Sequence, residues 1–469
     1  MGQNRPTSFM MKNKTLDLTK GNTITVVVFF VLPILLGSLS QQVFVTADAV
    51  IVGQFVGKNG LAAIDSVHTL FKFPLNFMSG LSTGATILIS GYFGAKDRDG
   101  IHCSIRTAFT IAMVLGVFCS VAGVILTPFF LNLMAVPDEI YTQTAIYTII
   151  YFGGIWAMVL YNMESGILRA LGDSKRPLYV LIFCSLINIA GDLLLVCVFH
   201  MGVAGAAAAT VLAQILSAWY TLRLVAEAER EGGQKRIWHL HFCKEHMTIM
   251  IKTGLPLALQ SMFFPVANSI VQASVNTMGV NQIAAWGLCD KLDMLIWLAA
   301  DAMAPALTTF TAQNIGAGKY DRVKKGVFVG TAMSTICCIM ISIVLFFGTP
   351  IMGKWFLTSS DAGVIVPLAS GYMRLLAPFF FFYAIAEALS GACSSMGDTL
   401  KPMVVTLTCM CVLRIVGIIF VFPLHHTMEC VASIYIVSWA VTAVAFVLMF
   451  VIRLRMLEIK KNKKREFVF

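Results

Sequence analysis

Residues 178–199 read LYVLIFCSLINIAGDLLLVCVF, a run long enough to cross a bilayer as one helix at 1.5 Å per residue. Asn188 and Asp192 interrupt it four positions apart, which puts both on one helix face. A carboxylate at mid-bilayer costs roughly 2.5–3.5 kcal/mol even on lenient insertion scales, so an acid kept there is a functional-site candidate. The plainer alternative is an aspartate fixed in a helix–helix hydrogen bond. A turn at His200–Gly202 leads into GVAGAAAAT, which ends at Thr210. Its small side chains let a neighbouring backbone come close. The stretch predicts a compact polar group between tightly packed helices.

The surrounding chain is of the same kind. Of 469 residues, 58% are hydrophobic and 12% charged, and no soluble domain of this size needs so much apolar surface. Long apolar runs recur from end to end and give about twelve spans by the ~20-residue criterion. The expected fold is an all-α polytopic membrane protein. Lys and Arg concentrate before the first span and in alternate loops: Lys96, Arg98, Arg169, Lys175, Arg176, Lys319 and Arg322 are on one side, while the other holds only Lys58 and Lys354. The positive-inside rule then places both termini in the cytoplasm, as a multi-pass protein of the plasma or bacterial inner membrane.

The net charge of +10 invites a nucleic-acid reading, but the basic run Lys460–Arg465 is short and follows directly on a span. Attraction to anionic lipid headgroups accounts for it better. The twelve cysteines form no CxxC or paired spacing, so they read as small hydrophobes in packing. His239 and His241 have no cysteine or HExxH pattern beside them, and no metal site is expected.

The sequence repeats itself. FVLPILLGSLSQQVFVTADAVIVGQFVGKNGLAAI, from Phe30, is matched by TGLPLALQSMFFPVANSIVQASVNTMGVNQIAAW, from Thr253. GYFGAKDRDG is echoed by QNIGAGKYDRV, and SGILRALGDSKRP, Ser165–Pro177, by LSGACSSMGDTLKP, Leu389–Pro402. Three markers at one offset of about 222–225 residues indicate duplication. Six spans per copy keep the orientation, which predicts two lobes related by an axis along the membrane normal. The expected divisions are a tail over 1–22, an N-terminal lobe over 23–226, a polar linker over 227–246, a C-terminal lobe over 247–455 and a basic tail over 456–469. The first span of each copy runs to about 32 residues where about 20 would do. Pro33 and Pro256 sit near their starts, where a lost helical hydrogen bond permits bending; a tilted or overhanging helix is the alternative.

Polar residues divide unequally between the copies. Asp48, Asn188 and Asp192 belong to the first, and the last two face Leu413 and Gly417 in the second. The second carries Gln260, Asn268, Gln272 and Asn276 on one helix face, with Asp290, Asp293, Asp301, Arg374, Glu387 and Arg414 elsewhere. Buried groups of this kind line a wet interior or pair with one another, and the two arginines are expected to pair with acids. A carboxylate pair with an amide and a hydroxyl can take a hard cation through oxygen or share a proton.

On SGILRALGDSKRP, NIAGDLLLV, GVAGAAAAT and ADAVIVGQFVGKNGLAAI, the chain resembles the multidrug and toxin extrusion (MATE) family over nearly its whole length. The resemblance implies a V of two lobes exporting bulky amphipathic or cationic compounds in exchange for H+ or Na+, with no other cofactor. It also implies that Asp48, Asn188, Asp192 and Thr210 hold the coupling cation. Gln260 departs from members that carry a glutamate nearby, so Gln260, Asn268, Gln272 and Glu387 are assigned to the substrate cleft. The expected partners are small-molecule drugs and membrane lipid, with no nucleic acid, and the chain is expected to act as a monomer. A lipid-linked-sugar flippase would need further spans or a more basic cavity. An intramembrane enzyme would need a catalytic pattern that this sequence lacks, and a channel fits poorly with duplicated, proline-bearing halves. With no nucleotide motif, transport is expected to be secondary.

Overall fold

A computed structural model describes residues 15–231, 242–357 and 359–466. Every regular element among them is helical. The first copy comprises α1 (Thr23–Phe55), α2 (Lys58–Ala95), α3 (Arg98–Leu133), α4 (Asp138–Ala170), α5 (Lys175–Asp192) and α6 (Gly202–Glu231). The second comprises α7 (Lys244–Val275), α8 (Val280–Gly316), α9 (Tyr320–Met352), α10 (Ser359–Leu376) with α11 (Phe380–Ser394), α12 (Leu400–Thr406) with α13 (Leu413–Val416), and α14 (Met428–Glu466). Eleven helical stretches among the described residues are long and apolar enough to cross a membrane. The twelfth long helix, α2, falls short: its first half carries Lys58, Asp65, His68 and Lys72, and its uncharged second half is diluted by Asn76 and by serines, threonines and glycines. The chain is thus a multi-pass membrane protein.

The same wiring occurs twice. In the first copy α4 packs on α2, α3 and α6; in the second α11 packs on α8, α9 and α14. The central helix of each copy carries the glycine of its motif. A Cβ on Gly166 would meet the Ser82 and Thr86 hydroxyls, and one on Gly391 would lie 2.4 Å from the Ala304 carbonyl oxygen. Glycine is what lets these helices approach so closely. Hydroxyls close the second contact: Thr308 Oγ1 donates to the Gly391 carbonyl at 3.1 Å, and Ser395 Oγ to that of Thr308 at 2.9 Å.

The chain forms two compact units, one of Met1–Asp17 with Leu32–Ala258 and one of Leu18–Val31 with Leu259–Phe469. One division falls between Asp17 and Leu18, and the other two within α1, beside Pro33, and within α7, just beyond Pro256. The first half of α7 packs on α2, where a Cβ on Gly80 would lie 2.2 Å from Ala258 N and one on Gly84 2.5 Å from Gly254 Cα. α6 runs five residues past the expected end of the first lobe, and α14 continues to Glu466, into the segment expected as a tail. Half of the expected linker, residues 232–241 with His239 and His241, lies outside the described residues.

Helix α5 does not end at Asp192 but continues as a π-helical turn, Leu193–Val198. The second copy has a π turn over Gly417–Val421, at the matching place, and another over Leu407–Val412.

Two expectations are corrected. Cys103 in α3 and Cys243 just before α7 form a disulfide, with Cα atoms 6.1 Å apart. They are 140 residues apart in sequence, so no local spacing announces the pair. Among the described residues Arg414 pairs with no acid: its Nε donates to Ser438 Oγ at 2.9 Å and its Nη1 to Asn268 Oδ1 at 3.0 Å. Its guanidinium carbon lies 4.2 Å from the Tyr435 ring centroid, so aromatic stacking replaces the ion pair. Arg374 is exposed and likewise makes no ion pair among the described residues.

Candidate functional site

The site predicted in the first copy is assembled from three helices. Ala206, Ala207 and Ala209 of α6 are buried, and a Cβ on Gly191 of α5 would come within 3.1 Å of the Ala209 methyl. That close approach brings Thr210 against Asn188. In the orientation that satisfies its amide, Asn188 accepts from the Thr210 backbone N–H at 3.0 Å and from Oγ1 at 3.2 Å, and donates to Asp192 Oδ2 at 3.0 Å. Asn188 and Asp192 are both fully buried. From α1, Ile51 and Val52 pack with Val196 and Ala206. This places Asp48, one turn earlier, so that its carboxyl comes within hydrogen-bonding reach of that of Asp192.

Two carboxyl groups that close cannot both stay ionised without a cation or a shared proton between them. Each also keeps one buried oxygen, Oδ1, with no partner. The donor set is all oxygen and suits H+ or a hard monovalent cation. Asp48, Asn188 and Thr210 line a cavity of about 190 Å3, walled on one side by Tyr147 and Tyr151. The Tyr151 ring stacks on Phe71 with centroids 4.1 Å apart.

Asp65 and His68 of α2 also line this cavity, and sequence reasoning missed them. With Lys72 they follow a three-then-four spacing, so all three share one helix face. All three are exposed. That periodic polar stripe was a signal open to detection.

The four residues assigned to the substrate cleft are not brought together. Asn268 and Gln272 line a cavity of about 250 Å3 with Trp286, Asp290, Asp293, Trp297, Tyr435 and Trp439. Trp297 Nε1 donates to Asp293 Oδ1 at 2.8 Å. Gln260 is not among the residues lining that cavity, and its Oε1 is buried without a partner. Glu387 stands elsewhere again, half-buried and within electrostatic range of Asp301, whose Oδ1 accepts from Tyr383 Oη at 2.8 Å. This second acid group was missed as a group, although Tyr383 and Glu387 share a helix face at i, i+4.

Known proteins share the sequence pattern and the fold. A probable multidrug resistance protein of Bacillus subtilis, YpnP, is 29% identical over 86% of this chain and 89% of its own length. A probable multidrug resistance protein NorM of Thermotoga maritima is 24% identical over 80% of each chain. Among solved structures, one described as the outward-facing conformation of a multidrug resistance MATE family transporter of the MOP superfamily superposes with a TM-score of 0.87. It is 21% identical and covers 95% of this chain and 99% of that one; at that identity the likeness concerns the fold. The sequence pattern of the MatE family matches twice, over residues 33–194 and 256–420, once in each copy. The chain belongs to the MatE family of multidrug efflux transporters, membrane carriers rather than enzymes.

Proposed function

We propose that the chain is a secondary antiporter that exports bulky amphipathic or cationic compounds in exchange for H+ or Na+. The coupling ion binds at Asp48, Asn188, Asp192 and Thr210. The observation that carries this reading is the meeting of the Asp48 and Asp192 carboxyls, each with a buried oxygen lacking a partner, beside a cavity. One exchangeable cation resolves both the repulsion and the unsatisfied oxygens.

On the substrate side, Asn268 and Gln272 share their cavity with three tryptophans, a tyrosine and two aspartates. Aromatic faces and acids together attract an organic cation. Gln260 and Glu387, also assigned to substrate, act from outside that cavity. The protein works as a monomer in contact with lipid and takes small-molecule drugs.

Inside-out vesicles containing the protein and a cationic dye test the reading. Dye should accumulate when a Na+ or a pH gradient is imposed and should stop when that gradient is collapsed. Accumulation that depends on ATP alone, or proceeds equally without a gradient, is incompatible with antiport.

Both termini face the cytoplasm, on the alternation of Lys and Arg between loops. A Lys460→Cys variant should then escape membrane-impermeant thiol reagents in intact cells and react once the cells are opened. Labelling from outside would reverse the topology.

A further inference from the structure

A second cavity of the first copy, about 140 Å3, is lined from four helices, with Ser38 and Gln41 from α1, Tyr161 and Arg169 from α4, Ser174 and other residues at the start of α5, and Gln214 from α6. Its chemistry is opposite to that of the coupling site. No carboxylate lines it. The Arg169 guanidinium makes no hydrogen bond or ion pair among the described residues, and Tyr161 lines the cavity with it.

Glu164, five residues before Arg169, is buried with both carboxyl oxygens unpartnered but does not line the cavity, and Asp173 and Glu227 are engaged by another arginine. Arg176 pairs with Asp173 and, at 3.3 Å, with Glu227. The cavity therefore holds one uncompensated positive charge among hydroxyls and amides. The duplicated copy has no such charge, because Ser394 stands at the matching place and its hydroxyl is returned to the Ser390 carbonyl.

Arg169 is partly buried, and its planar guanidinium fork matches a carboxylate or holds a halide through two N–H groups. We propose that this cavity binds a small monovalent anion, chloride or the carboxylate of a short organic acid, on the Arg169 guanidinium. The cavity shares Gln41, Met158, Leu181 and Gln214 with the one lined by Asp48. A bound anion there adds negative potential next to the acids of that cavity and favours a cation on them. The proposal does not depend on which cation the antiporter uses, and it holds even if that reading fails.

The competing explanation is that Arg169, in the last turn of α4, only offsets the negative end of the helix dipole. Thermal unfolding of the purified full chain in detergent separates the two. At constant ionic strength a bulky organic sulfonate is replaced stepwise by chloride, or in a separate series by acetate. The unmodified chain should show a saturable rise of about 3 °C or more in the unfolding midpoint. Arg169→Gln should lose that rise, and Arg169→Lys should keep it at lower affinity. Saturation with chloride alone assigns a halide site, with acetate alone a carboxylate site, and with both a site that accepts either.

No saturable rise in the unmodified chain overturns the proposal. So does a rise that survives intact in Arg169→Gln, where a dipole role would lower the midpoint equally at every anion concentration. Ser38→Leu, which fills the cavity from α1 and leaves the arginine in place, should also abolish the rise, and it decides the matter if Arg169→Gln fails to fold.

Discussion

Asp192→Asn and Asp48→Asn should each reduce gradient-driven export to the level of vesicles without the protein, while leaving the chain folded. Asparagine has nearly the shape of aspartate, so packing between α1, α5 and α6 survives. What is lost is a group that binds and releases a cation within one cycle. Neutralising one of two facing carboxyls also removes their mutual repulsion, so the unfolding midpoint should not fall. Because the carboxyls act as one unit, the double variant should be no worse than either single one. Export rates and unfolding midpoints measured together distinguish this outcome from misfolding. A single variant that keeps more than about one tenth of the normal rate, a loss of under about 1.4 kcal/mol of coupling, would remove these residues from the coupling site.

The second large effect concerns stability. Gly391→Ala should lower the unfolding midpoint by several degrees, and Gly166→Ala should do so distinctly less, although the two glycines are copies of one position. The new methyl at residue 391 meets only backbone, the Ala304 carbonyl and Cα atoms at 2.4–2.9 Å. Helices α8 and α11 must then separate, which breaks the hydroxyl bonds of Thr308 and Ser395. Overpacking of this kind costs about 1–3 kcal/mol. At residue 166 the obstacles are the Ser82 and Thr86 hydroxyls, ends of side chains that can turn away. Ser82 then gives up its bond to the Asn162 carbonyl and Thr86 its bond to that of Ser82. Midpoints in the reverse order would mean that the two lobes are packed on different principles.

What could be read from sequence follows the distance over which each signal acts. Helices, their lengths and the duplication are written in local periodicity and in motifs recurring at one offset. The meeting of Asn188, Asp192 and Thr210 was also legible, because an i, i+4 pair and an alanine run fix which faces touch over a stretch of chain folded back on itself. Asp48 required more, namely that Ile51 and Val52 seat the far half of α1 on α5 and α6. Where partners come from distant helices, the sequence states the residues but not the rotation of each helix about its axis. The pairing of Asp301 with Tyr383, the aromatic partner of Arg414 and the bond between Cys103 and Cys243 all depend on that rotation. Gln260 and Glu387 were grouped with Asn268 and Gln272 because all are polar and within spans. Depth along the helix and azimuth around it separate them.

The π turn after Asp192 separates what the two copies share from what they do not. A π turn arises when one extra residue is accommodated in an α-helix, and such turns occupy well under 1% of residues in proteins. One lies at Leu193–Val198 and one at the corresponding Gly417–Val421. The second copy has a further π turn at Leu407–Val412 with no counterpart in the first. Asp192 matches Gly417 across the repeat, so the irregularity after this position is common to both copies while the carboxylate is not. A helix distorted in the same place thus carries charge in one copy and none in the other.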